Sequence, residues 1–171
     1  MRRIAGLLMA ALLFCTSVAG APGSLEYAVK ATYLLKFTRF VVWPQSALSG
    51  DSFNICVLGP DPFGATLNQV VAGEEVEGRK ITVQRLEREP APGACQVLYV
   101  GDHQERPHFT NEPGRAVLTV GEGQDFARNG GMIGFVIENR RVTFDINWRA
   151  AEASGLKLSA GLLNVAETVI R

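Results

Sequence analysis

Few side chains in this sequence have the types and spacing that catalysis or metal binding requires. The chain contains two histidines, His103 and His108, which lie with Asp102 and Glu105 in a polar, proline-containing segment. These four residues could surround a metal ion, but their spacing matches no metal-binding motif, and surface loops often collect such residues. We therefore expect a surface loop here, with neither a metal nor a cofactor.

The motifs of common catalytic and nucleotide-binding sites are also missing from the sequence. It contains no G-x-S-x-G, no H-E-x-x-H, no G-x-x-x-x-G-K and no G-x-G-x-x-G. Ser159 could be imagined as a nucleophile, but it stands where a helix should begin, and a serine there usually caps the helix. The sequence therefore predicts a protein that is not an enzyme.

Asp145 and Asn147 are the remaining polar pair of interest. They flank Ile146 at the end of a predicted strand, so both side chains should point to the face opposite Ile146. They could hydrogen-bond a ligand, or they could tie the turn that leads to the last helices. We favour the turn.

The first 21 residues have the layout of a cleavable signal peptide. Two arginines follow Met1, an uncharged apolar run extends to about Val18, and Ala19-Gly20-Ala21 precedes Pro22. The apolar run is too short for a membrane anchor, which needs about 20 apolar residues. We therefore expect export, cleavage near Ala21, and a single domain over residues 22–171.

Two cysteines remain once Cys15 is removed with the signal peptide. An even count in an oxidising compartment favours a disulfide between Cys56 and Cys95, with two buried free thiols as the alternative. Such a bridge closes a loop of about 40 residues, which is worth on the order of 4 kcal/mol in the chain-entropy model.

The composition narrows the class of partner. The chain has 17 basic and 17 acidic residues, and no basic stripe runs along it. Neither nucleic acid nor an anionic membrane is therefore expected as a partner. A protein or a small ligand is expected instead.

A long helix is predicted over residues 24–42, before Trp43-Pro44. One broad apolar face should pack on the core. A second stripe, formed by Val29, Tyr33, Phe37 and Phe40, is covered either by the same domain or by a partner or second copy.

The rest of the chain alternates between strand and helix patterns and predicts an α/β single domain with a mainly parallel central sheet flanked by helices. A C-terminal hairpin and helix should complete the domain. Leu162, Val165, Ala166 and Val169 repeat at helical spacing and should face the core. The predicted strands are 53–58, 80–86, 96–100 and 116–120, followed by hairpin strands 132–137 and 142–146; the predicted helices are 62–71 and the segment from about residue 148 onwards.

Several segments in order along the chain together resemble the YfiR family of periplasmic proteins. They are AVKATYLLKFTRFVVWP (28–44), ICVLG (55–59) with DPF (61–63), Cys95-Gln96, VLTVG (117–121), Phe126 with GGMI (130–133), VTFDIN (142–147), and LKLS (156–159) with Leu162-Leu163. Together they cover nearly all of the predicted mature chain.

The resemblance implies a regulatory binding protein. The best-known member inhibits an inner-membrane diguanylate cyclase, so the expected partner is the periplasmic part of a YfiN-like cyclase. Inhibition would lower cyclic di-GMP and favour motility over biofilm. A YfiB-like outer-membrane lipoprotein could in turn sequester the inhibitor. A small-ligand sensor or solute-binding domain is the alternative.

The family resemblance also bears on individual residues. The family's bridge between two strands falls on Cys56 and Cys95, which strengthens the disulfide prediction. The best-known member has a second, shorter bridge in the region that corresponds to Gly130-Gly131. This sequence has no cysteines there. Family members are reported as dimers, which gives the stripe of Val29, Tyr33, Phe37 and Phe40 a use as a partner or dimer interface.

Overall fold

A twisted sheet of eight strands organises the domain. The computed structural model describes residues 22–101 and 115–171. Along the described chain the elements are α1 (Pro22–Phe40), β1 (Val41–Val42), a 3-10 turn (Gln45–Leu48), β2 (Ser52–Leu58), α2 (Ala65–Val71), β3 (Glu75–Val76), β4 (Arg79–Leu86), β5 (Val97–Val100), β6 (Leu118–Glu122), β7 (Ile133–Glu138), β8 (Arg141–Asn147), α3 (Trp148–Ala153), β9 (Lys157–Leu158), α4 (Ala160–Asn164) and β10 (Thr168–Ile170).

The main sheet has the strand order β10-β8-β7-β6-β5-β2-β4-β3. Its pairs are parallel, apart from the two hairpins β3–β4 and β7–β8. The predicted α/β fold with a mainly parallel sheet and a late hairpin is therefore confirmed.

Hydrophobic side chains fill both faces of the sheet. The larger core lies on the face that carries α1 and α2, where the inward side chains of β2, β5, β6, β7 and β8 meet the two helices. A smaller cluster lies on the opposite face, formed by Cys56, Leu58, Cys95, Leu98, Val100 and Phe126. Burial on both faces explains why the central strands are nearly continuous apolar runs.

The first helix ends two residues earlier than predicted. Val41 and Val42 leave the helix and pair antiparallel with Leu158 and Lys157. Two consecutive β-branched residues followed by Trp43-Pro44 favour extended backbone over helix, which accounts for the difference.

The C-terminal helix is much shorter than predicted. Ser159 caps it as expected, since its Oγ accepts a hydrogen bond from the Leu162 amide at 3.2 Å. Leu162 is buried, but Val165 is 64% exposed, and the chain then forms β10, which pairs parallel with β8. The prediction that Val165 and Val169 face the core from a helix was wrong. The β-branched residues of β10 favour an edge strand.

The Phe126 ring lies between two glycines that precede and follow it in the chain. A Cβ atom added to Gly121 would lie 2.2 Å from one edge of the ring, and a Cβ on Gly131 would lie 2.1 Å from the other. The ring is therefore clamped from two sides, and neither glycine can gain a side chain without displacing it. This packing explains the spacing of Phe126 and the glycines around it.

A disulfide joins Cys56 of β2 to Cys95, two residues before β5. Both cysteines are buried, and the predicted pairing is confirmed. The next residue, Gln96, ties the same region with its side chain: its Oε1 accepts from the Asn54 amide at 2.7 Å, and its Nε2 donates to the Ala47 carbonyl at 2.8 Å.

We predict that Gly121→Ala and Gly131→Ala each destabilise the domain by about 1–3 kcal/mol, because each overpacks the Phe126 ring. Gly50→Ala is the matched control, since its added Cβ would meet its nearest atom at 3.8 Å. Urea unfolding measures all three. Equal stability of Gly121→Ala and Gly50→Ala would contradict the clamp.

The disulfide should contribute much of the domain's stability. The cysteines lie 39 residues apart, and we expect the double variant Cys56→Ser, Cys95→Ser to lose about 4 kcal/mol of unfolding free energy. Reduction of the wild type by dithiothreitol in denaturant should lower its unfolding midpoint to that of the double variant. An unchanged midpoint after complete reduction would refute the prediction.

Candidate functional site

A buried lysine forms the centre of a polar cluster that the sequence did not predict. Lys30 of α1 is 2% exposed. Its Nζ donates to Glu26 Oε1 and, at 2.8 Å, to Oε2 of Glu122 at the end of β6. Tyr99 of β5 donates its hydroxyl to the other oxygen of Glu122. The Lys30 Nζ also lies 4.5 Å from the centre of the Tyr27 ring. The cluster thus connects α1 to two central strands.

The pKa values of Lys30 and Tyr99 are both raised in this cluster. Burial alone would lower the pKa of Lys30, but its hydrogen bonds to Glu122 and Glu26 outweigh this effect and raise the pKa. Burial raises the pKa of Tyr99, and the hydrogen bond to Glu122 raises it further. Lys30 therefore stays charged and Tyr99 neutral across the physiological range, so neither is poised to exchange a proton near pH 7.

The cluster lies where α/β sheets often bind ligands, at the carboxyl ends of parallel strands. Here, however, the Glu122 carboxylate already accepts hydrogen bonds from Lys30 and Tyr99. Phe63, in the turn after β2, closes the side of the cluster with its ring 5.7 Å from that of Tyr27 and 4.7 Å from that of Tyr99. This arrangement serves to hold α1 on the sheet.

Apolar side chains are exposed on the outer side of α1 and beside it. We call Leu25, Val29, Phe40, Ile137 and Val165 the exposed apolar strip; they are 73%, 37%, 42%, 51% and 64% exposed, respectively. Together they present on the order of 500 Å² of apolar surface. Lys36, which is exposed, lies on the same side of α1 between Val29 and Phe40.

Two adjoining grooves follow the strip. The larger, of about 740 Å³, is lined by the N-terminal half of α1, the β7–β8 hairpin and the segment after α4. The smaller, of about 290 Å³, lies between the C-terminal half of α1 and α4. Tyr33 and Val165 line both grooves. The two grooves therefore form one continuous surface.

The predicted interface stripe is only partly at the surface. Phe37 is fully buried, with its ring 5.9 Å from Phe135 and 5.1 Å from Phe144, so its assignment as an interface residue was wrong. Successive helical residues turn by about 100°, which places Phe40 about 20° from Val29 but Phe37 about 80° away, towards the sheet. The assignment of Val29, Tyr33 and Phe40 to an interface stays a prediction.

Asn147 ties a turn at the start of α3. Its Oδ1 accepts from the Ala150 amide at 3.0 Å, and its Nδ2 donates to the Ala127 carbonyl at 2.8 Å. Asp145 lies on the same side of β8, is 7% exposed and is paired in register with Thr168. For Asp145 the favoured role in the turn stays a prediction, with ligand binding as the alternative.

Some of the predictions fall outside the described residues. The segment with Asp102, His103, Glu105 and His108 is one, and the signal peptide over residues 1–21 is the other. Within the described ranges, no three His, Cys, Asp or Glu side chains come together in a way that could hold a metal ion. No helix in those ranges is long and apolar enough to cross a membrane.

Comparison with known proteins gives a match to a family model, described as YfiR/HmsC-like, over residues 27–167. Among solved structures, the bifunctional 5,10-methylenetetrahydrofolate dehydrogenase / cyclohydrolase from Thermoplasma acidophilum is similar at 13% sequence identity and a TM-score of 0.23. That match covers 85% of this chain and 48% of the other. The chain thus spans about half the length of that enzyme.

Alkaline pH should destabilise the fold through Tyr99 and Lys30. Unfolded Tyr99 ionises near pH 10.0, whereas folded Tyr99 keeps its proton. Lys30 acts in the same direction, because the stability from its raised pKa is present at neutral pH and is lost as the pH rises through that pKa. Above pH 10, Tyr99 should lower the unfolding free energy by up to about 1.4 kcal/mol per pH unit. Lys30 should add to this loss in the same direction.

Urea unfolding between pH 7 and 11 measures this loss. The Tyr99→Phe variant is the control, because it retains the ring and removes the ionisable hydroxyl. Its stability should fall less steeply above pH 10 than that of the wild type. Equal slopes for the two proteins would contradict the assignment.

Proposed function

Because this chain belongs to the YfiR/HmsC-like family, we propose that it inhibits an inner-membrane diguanylate cyclase by binding the periplasmic part of that enzyme. The family consists of periplasmic regulators of cyclic di-GMP signalling. The specific partner, the inhibition and export through residues 1–21 are the proposed steps.

The exposed apolar strip is the observation that supports this function. Its side chains lie on an ordered helix, a hairpin and the segment after α4, and they form one surface with the two grooves. Apolar surface of this extent, with charged residues at its rim, is typical of protein-binding sites. A soluble domain gains nothing from exposing it unless a partner covers it.

Inhibition would work through differential binding. If the cyclase exists in active and inactive states, a protein that binds the inactive state more tightly shifts the population towards it. A tenfold shift needs a difference of only about 1.4 kcal/mol in binding free energy. No chemical step by this chain is required.

A small-ligand sensor is less well supported. Such a site needs polar groups that converge on an open cavity. Among the described residues at the carboxyl edge of the sheet, Lys30 and Tyr99 both donate to Glu122 and so satisfy one another. The protein-binding function accounts for the exposed strip, whereas the ligand-binding function leaves it unexplained.

The two other expected partners would use the same surface. A YfiB-like outer-membrane lipoprotein would release the cyclase by competing for the strip. A second copy of the chain would cover it in a homodimer. In both cases the cyclase could bind only when the strip is free.

The test is the cyclic di-GMP level in a strain that lacks this gene, with plasmid-borne copies returned. The level should rise on deletion, and the wild type should reverse the rise. A double variant, Val29→Asp with Phe40→Asp, should fail to reverse it, because it places two charges on the strip. Val29 is 37% and Phe40 42% exposed, so each change removes only part of the side chain's packing and should cost about 1–2 kcal/mol.

Val42→Asp is the matched control, since Val42 is 56% exposed but lines neither groove. It should repress as the wild type does. Thermal unfolding of all the variants checks that they are folded. A deletion that leaves cyclic di-GMP unchanged would sink the proposed function, and full repression by the double variant would exclude the strip.

A further inference from the structure

The strand β10 forms an open edge of the main sheet. It is the terminal strand in the strand order and pairs only with β8. The Glu167 N–H donates to the Phe144 carbonyl of β8 at 2.9 Å, so residue 167 directs its backbone groups towards β8. These directions alternate along a strand. Val169 therefore also faces β8, whereas the N–H and C=O groups of Thr168 and Ile170 point away from the sheet.

The outward backbone groups of β10 determine what kind of occupant this edge can take. Within residues 22–101 and 115–171, no hydrogen bond is made to the N–H or C=O of Thr168 or Ile170 from the outer side of β10. Thr168 is exposed and Ile170 is half-buried. Unpaired groups along an edge strand are a template for another strand. The chemistry of the edge therefore selects an extended backbone as its occupant.

The two edges of the sheet differ in how they would meet another strand. Natural edges are often blocked by proline or by charges of one sign, but the outward positions of β10 hold Thr168 and Ile170, which are β-branched and favour strands. At the other end of the sheet, β4 carries Arg79, Lys80 and Arg85 and no acidic residue. Two copies that met along β4 would bring like charges together. β10 is therefore the edge better suited to pairing.

The residues that flank β10 carry opposite charges. If two copies meet antiparallel around a two-fold axis at Val169, Thr168 lies opposite Ile170 of the second copy, and each such pair exchanges two hydrogen bonds. The same register places Glu167 opposite Arg171 of the second copy. Both are exposed, and neither forms an ion pair with a residue that the structure describes. A parallel register would oppose like charges instead. The edge is therefore complementary to itself in the antiparallel orientation.

We propose that β10 pairs with β10 of a second copy in this antiparallel register, so that the two sheets form one continuous sheet. The proposal goes beyond the proposed function. The register does not involve Leu25, Val29 or Phe40, so this contact is distinct from a homodimer through the exposed apolar strip. A strand of three residues buries much less than the roughly 1,600 Å² of a standard interface. The dimer should therefore be weak and form at high protein concentration.

The first experiment exchanges the charges and measures association by sedimentation equilibrium at low salt, up to about 1 mM protein. The wild type should show a monomer–dimer equilibrium. Glu167→Arg and Arg171→Glu each place like charges opposite one another and should weaken association about tenfold. The double variant Glu167→Arg, Arg171→Glu restores opposite charges and should associate like the wild type. An equimolar mixture of the two single variants should form a heterodimer, because each then faces the opposite charge.

Three results of this experiment would overturn the proposal. The first is a wild type that stays monomeric over the whole concentration range. The second is a double charge variant that melts like the wild type but does not associate, because the register would then be wrong. The third is a dimer that Val29→Asp with Phe40→Asp dissociates and Glu167→Arg does not, because the second copy would then lie on the strip.

The second experiment tests the backbone contact. Thr168→Pro removes an N–H that points away from β8, a position at which an edge strand tolerates proline. It should weaken association at least tenfold and leave the melting temperature of the monomer nearly unchanged. Thr168→Val is the matched control, because it keeps the N–H and the β-branched shape, and it should associate like the wild type. Equal association of these two variants would contradict pairing through the edge.

Discussion

The packing of α1 against the sheet determines which residues reach the surface. Phe37 inserts between Phe135 and Phe144, and two turns earlier Lys30 bonds to Glu122. Seven residues span nearly two full helical turns, so Phe37 and Lys30 point in almost the same direction. With both anchors in place α1 cannot rotate, and the side with Val29 and Phe40 must face outwards. The exposed apolar strip is therefore a consequence of how the core is built.

The sheet and the disulfide were predictable because their signals are local or compositional. Apolar runs bounded by glycine and proline mark the strands, and an even cysteine count marks the bridge. The Lys30 cluster was not predictable in this way. A lysine four residues after a glutamate normally indicates an exposed helix pair, and the partner that buries Lys30 lies 92 residues away in sequence. Glu122 also stands between two glycines, a pattern that is more typical of a loop than of a strand.

The surface features were predicted with the least accuracy, for two physical reasons. A helical wheel shows that residues share a side, but it does not show which part of a broad apolar side meets the sheet; Phe37 and Phe40 were therefore grouped although one is buried and the other 42% exposed. At the C-terminus a short apolar run fits both helix and strand periodicities. There the free edge of β8 decided the outcome, because pairing satisfies the backbone groups of β8 and β10 that face each other.

A strip held this rigidly has consequences for how inhibition would work. The disulfide, the Lys30 cluster and the Phe126 clamp all restrict the scaffold behind the strip, so little entropy is lost in ordering this chain when a partner binds. A rigid inhibitor also cannot switch between two conformations of its own. The conformational switch would then lie in the partner, and this chain would act through its concentration and through competition for the strip. Competition for one rigid surface couples the binding of two partners without any conformational change in the protein that they share.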